Sequence, residues 1–129
     1  PWHHDLTFWP VDGGPLVSAW VALDPVDGES GAVHFLAGSH RAPGRYRPTQ
    51  PDTPETRLLA NMELPPAPDG WAVPEPERIS FDMAPGDVLL FDGRTLHGAR
   101  GNRRPDRARR ALTIRYAGPG VRWVEGAHA

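Results

Sequence analysis

The chain has 129 residues, room for one domain with a modest core, and its make-up of 39% hydrophobic and 23% charged residues is that of a folded, water-soluble protein. A formal net charge of −2 argues against a nucleic-acid surface, no apolar run reaches membrane-spanning length, and no signal-peptide pattern opens the sequence. Cysteine is absent, which excludes disulfides and thiolate metal sites, leaves histidine and carboxylates as the strong ligands, and makes a reducing cytoplasm the expected compartment.

The sequence starts at Pro1, without methionine, and at once reads Trp2-His3-His4-Asp5. A chemically suggestive motif so close to residue 1 leads us to expect further sequence upstream. In an extended segment, side chains alternate sides, so His3 and Asp5 face one way and His4 the other. An imidazole and a carboxylate on the same side can hold one metal ion together; His4 is left out.

Residues 16–23 (LVSAWVAL) form a run of strand formers, and 24–31 (DPVDGESG) are dense in turn residues. Residues 32–38 (AVHFLAG) are a second strand, closed by Gly38 and Ser39. Residues 42–78 carry most of the proline and form a long excursion, with one helical turn expected around 55–62. Loops of that length commonly act as lids or binding loops. Strands follow at 79–83 and 88–92, joined by a tight turn at 84–87, and then at 111–116 and 121–124. There is no internal repeat. Short strands separated by Gly/Pro turns, with little helical periodicity, predict an all-β sandwich or barrel in a single domain spanning 1–129.

His3 and Asp5 need a third ligand, and His34, His40, His97 and His128 are the candidates. His34 sits within a strand as a half-buried histidine would. His40 ends a turn, and His128 lies in the tail. His97 follows the strand 88–92 and a short turn, with Gly98 and Ala99 leaving room beside it. Two histidines and one carboxylate on one face of an ion leave its other positions open, the arrangement of non-haem Fe(II) oxygenases. Open positions imply a co-substrate.

The segment 100–116 is thick with arginine, and for most of it a solvated basic loop is the expectation. Arg109 stands apart. It opens a strand on which Arg109, Ala111, Thr113 and Arg115 share one face, and Arg110, Leu112, Ile114 and Tyr116 the other. The first face is small and polar, like a pocket wall. Arginine grips a carboxylate with a planar, permanently charged fork, so Arg109 is the candidate to hold 2-oxoglutarate, with Arg110 as the alternative. The second face, with Val17, Val21 and Leu23, is expected to leave an exposed apolar patch.

The stretches WHHDLTFWP, AWVALDPVDGESGAVHFLAGSHR, PGDVLLFDGRTLHGARGN and RRALTIRY resemble, in order from Trp2 to Tyr116, the successive motifs of the phytanoyl-CoA dioxygenase family. That resemblance implies a double-stranded β-helix (a cupin-like jelly roll), and, because family members are longer, a chain lacking the family's N-terminal helices and first strand. It implies Fe(II) and 2-oxoglutarate as cofactor and co-substrate, O₂ and a small organic molecule as the other partners, and neither nucleic acid nor membrane. By position, His3, Asp5 and His97 match the iron ligands, Arg109 the 2-oxoglutarate arginine, and Trp20 the tryptophan lining the pocket. The implied reaction is oxidative decarboxylation of 2-oxoglutarate to succinate and CO₂ coupled to hydroxylation of a C–H bond. Asp5 favours hydroxylation over halogenation, since related halogenases carry a small residue there. Two other readings compete: a non-catalytic jelly-roll domain, and a cupin-type metalloenzyme that does not use the keto acid. Succinate formation dependent on 2-oxoglutarate separates the first reading from both.

Overall fold

Short apolar runs punctuated by Gly and Pro turns become eight strands among residues 1–47 and 64–124, the parts of the chain that a computed structural model describes. They are β1 (Val11–Asp12), β2 (Leu16–Ala22), β3 (Val33–Leu36), β4 (Arg78–Ser80), β5 (Val88–Asp92), β6 (His97–Ala99), β7 (Ala111–Ala117) and β8 (Arg122–Trp123). Helical content among these residues is limited to short 3-10 turns, of which Asp5–Phe8 is the longest, so no helix here is long and apolar enough to cross a membrane.

The strands form two three-stranded antiparallel sheets and a small ribbon. One sheet has the order β5-β2-β7, the other β4-β3-β6, and β1 pairs with β8. β2 is central because both of its edges find partners: Trp20 lies opposite Leu89 on one side and Thr113 on the other. Its alternate residues Leu16, Ser18, Trp20 and Ala22 are buried. The core fills the space between the sheets, with Trp20 and Ala22 from β2 against Val33 and Phe35 from β3, closed by Val26 and Met83. Phe35 and Phe91 meet edge to face at 5.0 Å, a favourable aromatic geometry. Two sheets joined by long crossings over one core form the expected all-β jelly roll, a double-stranded β-helix.

The predicted strands at 16–23, 32–38, 79–83, 88–92, 111–116 and 121–124 all reappear: 88–92 unchanged, 111–116 longer by one residue, 79–83 shifted to 78–80, and the others shortened by one or two residues at an end. The turn at 84–87 closes through Asp87 N–H donating to the Ala84 carbonyl (3.1 Å), and Gly86 there has φ of 95°, where other residues are strained. Two elements were not foreseen. β1 is two residues long, and β6 carries His97 on a strand where only the residue after a turn was expected. The helical turn expected around 55–62 lies outside the described residues.

The outward face of the β5-β2-β7 sheet is apolar, as expected. Val17 lies opposite Tyr116, and Val21 lies opposite Val88 and Leu112. Leu90 is 69% exposed and Leu112 50%. A contiguous apolar patch of this kind binds hydrophobic dyes and promotes association. Purified chain is therefore expected to bring up strong fluorescence from an apolar dye. The double substitution Leu90→Ser/Leu112→Ser should remove most of that signal while changing stability by no more than about 0.5 kcal/mol per site. An unmodified chain that leaves the dye dark, and stays monodisperse, contradicts this description of the face.

Candidate metal centre

The N-terminal segment is pinned before it reaches the site. Trp2 is buried and meets Trp71 edge to face at 5.2 Å. Its ring lies against Gly70, where a Cβ would come within 2.4 Å of the indole, so glycine there is what admits the tryptophan; at Gly98 a Cβ would be a tight 3.2 Å from the indole and the Pro1 carbonyl. His3 then pairs with His97 through two backbone bonds, His3 N–H to His97 O (2.9 Å) and His97 N–H to His3 O (2.8 Å). Their rings lie 4.3 Å apart.

The segment stays extended through His4, as the alternation argument requires, and coils into a 3-10 turn at Asp5. His4 is 1% exposed, and its Nδ1 accepts the Thr7 N–H at 3.2 Å, capping that turn. Leu6 N–H donates to Gly93 O at 3.0 Å and ties the turn to the body of the sheet. His4 is thus drawn away from its neighbours into a structural role.

The ligating atoms of His3, Asp5 and His97 all lie within 4.8 Å of one another; Asp5 and His97 are buried and His3 is half-buried. The tautomers suit a cation. His97 Nδ1 lies 2.9 Å from Thr95 O, and His3 Nδ1 lies 3.2 Å from Pro1 O. A carbonyl only accepts, so each Nδ1 carries the proton and each Nε2 keeps its lone pair free. His97 Nε2 stands 3.9 Å from Asp5 Oδ1. Two neutral nitrogen donors and one carboxylate form a donor set that fits a divalent first-row metal.

The electrostatics keep that donor set in ligating form. Burial pushes the His97 imidazole down to about 4, helped by His3 and Arg115 and opposed by Thr95 and Asp5. His3 and His4 are also pushed below the ordinary histidine range, chiefly by burial. Burial alone would raise the Asp5 carboxyl, but hydrogen bonds from Arg115 and Ser18 outweigh it and hold it below the usual carboxylate range.

A pH dependence follows from His97. Its pKa is lower when folded than the ordinary 6.5, so between pH 6.5 and about 4 the unfolded chain binds more protons. Stability is fully present above that window and is lost as pH falls through it. For His97 the loss amounts to roughly 3 kcal/mol. Denaturant titrations of metal-free chain at pH 7, 5.5 and 4 should show that decline, and His97→Gln should flatten it. A curve equally steep in both proteins assigns the effect elsewhere.

Two residues at this centre escaped the sequence reading. Ser18 and Arg115 are direct cross-strand neighbours on β2 and β7. Ser18 Oγ donates to Asp5 Oδ2, and Arg115 Nη2 donates to Asp5 Oδ1 at 2.8 Å. Together they hold both oxygens of the carboxylate. Alternation put Arg115 on the pocket face of β7, and Ser18 proves to share the buried face of β2 with Trp20; what lay at that end of the pocket was the missing step.

His3 and His97 line an open pocket of about 220 Å³ that also holds Trp20, Arg109, Thr113 and Arg115. Arg109 lies two residues before β7, so it approaches the strand rather than opening it. Its guanidinium stands over the Trp20 ring at 5.5 Å. Among the described residues Arg109 makes no ion pair, and its Nε is buried without a hydrogen-bond partner. Arg110 is turned to the other side and paired with Asp24. An unpaired guanidinium in a pocket suits an anion, and a carboxylate most closely.

The remaining candidates stand apart. His34 packs edge-on against Trp71 at 4.9 Å, and His40 lies in the 3-10 turn Ser39–Arg41. Neither joins the cluster. His128 lies outside the described residues. The arginine-rich segment is not simply solvated: Arg103 pairs with Glu29, and Arg104 and Arg107 with Asp27.

A family model described as phytanoyl-CoA dioxygenase (PhyH) matches residues 1–111. The peroxisomal phytanoyl-CoA dioxygenase of Rattus norvegicus is 28% identical over 125 residues, covering 96% of this chain and 35% of that protein. An ectoine dioxygenase of Sphingopyxis alaskensis is 29% identical over 119 residues, covering 81% of this chain and 36% of that protein. The chain thus spans about a third of the length of these relatives. Among solved structures, the epimerase SnoN in complex with Fe3+, alpha ketoglutarate and nogalamycin RO superimposes with a TM-score of 0.64 at 26% identity, covering 96% of this chain and 44% of that one.

Proposed function

The chain belongs to the phytanoyl-CoA dioxygenase family, and from that premise we propose that it is the catalytic unit of an Fe(II)- and 2-oxoglutarate-dependent dioxygenase that hydroxylates a C–H bond of a small organic substrate. The observation that carries this reading is the convergence of two Nε2 lone pairs and one carboxylate beside a pocket that also holds Arg109, which has no ion-pair partner among the described residues. In the balanced reaction, substrate C–H, O₂ and 2-oxoglutarate give the alcohol, succinate and CO₂, with one oxygen atom entering the alcohol and the other the succinate. Residues 1–129 act as one domain, with the proline-rich 42–78 as an excursion from it. A chain without cysteine fits action in a reducing cytoplasm.

His3, Asp5 and His97 would hold the iron, and iron bound there supplies the one-electron and O₂ chemistry. The chain's own residues bind and orient. Thr95 O and Pro1 O keep the imidazoles in the tautomer that ligates. Ser18 and Arg115 keep Asp5 ionised and fix its plane. Arg109 takes the far carboxylate of 2-oxoglutarate, and the Trp20 ring beneath it bounds the pocket and limits water around that ion pair.

The test is turnover. Chain supplied with Fe(II), 2-oxoglutarate and O₂ should release succinate even without its natural substrate, in a slow uncoupled reaction that depends on all three. Metal binding without 2-oxoglutarate consumption would favour a cupin-type metalloenzyme. No metal binding at all would favour a non-catalytic jelly roll.

A further inference from the structure

Two segments distant in sequence face each other beside the pocket. The turn after β2 carries Asp24, Asp27 and Glu29; the approach to β7 carries Arg103, Arg104, Arg107, Arg109 and Arg110. Four of these five arginines pair with the three acids: Arg103 with Glu29, Arg104 and Arg107 with Asp27, and Arg110 with Asp24. Among the described residues, Arg109 is the one left out, and it is the one in the pocket.

The joint nearest β7 is the most complete. Asp24 Oδ2 accepts the backbone N–H of Arg110 at 2.7 Å and its Nε at 2.9 Å, and Asp24 Oδ1 accepts Nη2 at 2.8 Å. The Arg110 carbonyl accepts Leu23 N–H at 3.1 Å. Residue 110 is therefore held through its amide, its carbonyl and its side chain. Adjacent side chains in an extended segment point to opposite sides, so a fixed outward Arg110 leaves Arg109 the inward direction, over Trp20. The two residues are chemically identical, and a slip of one residue would exchange them. Nothing in the Arg-Arg pair itself chooses between them.

We propose that Asp24 is a positioning residue for the co-substrate: by gripping Arg110 it sets the register that delivers the Arg109 guanidinium into the pocket. This rests on the 2-oxoglutarate reading of that pocket, and adds to it a residue that touches neither metal nor co-substrate. Asp27 and Glu29 hold the approach to the same joint, so the acidic turn acts as a bracket behind the pocket wall.

The test compares Asp24→Ala, Arg109→Ala and the double variant, each checked for a native melting profile. In metal-free chain, the indole N–H resonance of Trp20, assigned with Trp20→Phe, should move in Asp24→Ala toward its position in Arg109→Ala. In chain loaded anaerobically with Fe(II), Asp24→Ala should weaken 2-oxoglutarate binding about tenfold, as loss of an outer-shell partner does, with iron affinity held within about twofold. The double variant should bind 2-oxoglutarate no more weakly than Arg109→Ala alone. Asp24→Glu, which keeps the carboxylate, should restore much of the affinity. An unmoved Trp20 resonance, or 2-oxoglutarate binding indifferent to Asp24, overturns the proposal and leaves the oxygenase reading standing. If Asp24→Ala weakens iron binding as much as co-substrate binding, its role is general stability and the proposal fails. If the unmodified, iron-loaded chain binds no 2-oxoglutarate, the pocket reading falls and the proposal with it.

Discussion

His97→Ala should abolish iron binding at concentrations where the unmodified chain is saturated, and with it all succinate formation. His97 Nε2 and Asp5 Oδ1 stand 3.9 Å apart, close enough for one ion to bridge. Loss of a partner one shell further out commonly costs 10- to 100-fold in metal affinity, so loss of the ligand should cost more than about 100-fold. His3→Ala and Asp5→Ala should behave alike. Asp5→Ala has a second consequence, because Arg115 would then be left in the pocket without its carboxylate. The control is His4→Ala. His4 is buried beside the site, yet its Nδ1 is engaged with Thr7. Its loss should lower stability by about 1–3 kcal/mol, by removing the side-chain cap of the turn and leaving a cavity where a buried ring was packed, and weaken iron binding far less than loss of His3. Anaerobic Fe(II) titration of the four variants, each after a thermal melt, checks the assignment. If His4→Ala strips the iron and His3→Ala does not, the assignment of sides along residues 3–5 is wrong.

The second large effect belongs to Arg109. Removing a partly buried cation from a carboxylate site costs about 2–5 kcal/mol, or roughly 30-fold and upward in affinity. Arg109→Ala should therefore weaken 2-oxoglutarate binding by that factor and leave iron affinity unchanged. Arg109→Lys should fall between the two, since lysine keeps the charge but not the planar fork. Arg110→Ala acts only through position, leaves Asp24 its hold on the backbone N–H of residue 110, and should cost 2-oxoglutarate binding about fivefold or less, below the loss from Asp24→Ala. Calorimetric titration of 2-oxoglutarate into Fe(II)-loaded variants without O₂ reads binding free of turnover. Equal losses from Arg109→Ala and Arg110→Ala would mean that either arginine can serve the carboxylate, and that the register at the entrance to β7 is not fixed.

Much of this architecture is legible in the sequence because its signals are local. Alternation in 16–23 and 111–116 marks β2 and β7, and the same alternation sorts Arg109, Thr113 and Arg115 into the pocket and Leu112 and Tyr116 onto the outer face. The His-x-Asp pattern at residues 3–5 depends on two residues of extended chain, and the chain is extended where that matters. What was not legible depends on contacts between distant segments. β6 is His-Gly-Ala, with no strand former in it; it is a strand because Phe35 and His3 lie on either side of it. The clamp on Asp5 joins residues 13 and 110 positions away. By its rise per residue, Arg115 is expected about 20 Å along the strand from Arg109, and both line the same pocket. That distance says nothing of what Arg115 meets at its own end, where Asp5 arrives on a segment from the other side of the fold. The arginines at 103, 104 and 107 look solvated for the same reason, since Asp27 and Glu29 are more than 70 residues away.

The proposed function puts His3, Asp5 and His97 as iron ligands and Arg109 as the 2-oxoglutarate contact in one site, and a two-step anaerobic titration of the chain tests that coupling most directly. Fe(II) is added first, then 2-oxoglutarate, with heat and visible absorption followed throughout. The expected result is one iron per chain, then one 2-oxoglutarate per chain bound tightly only once iron is present, with a new visible absorption band from direct contact between metal and keto acid. Equal binding of 2-oxoglutarate with and without iron, or iron binding that the keto acid does not perturb, would contradict it.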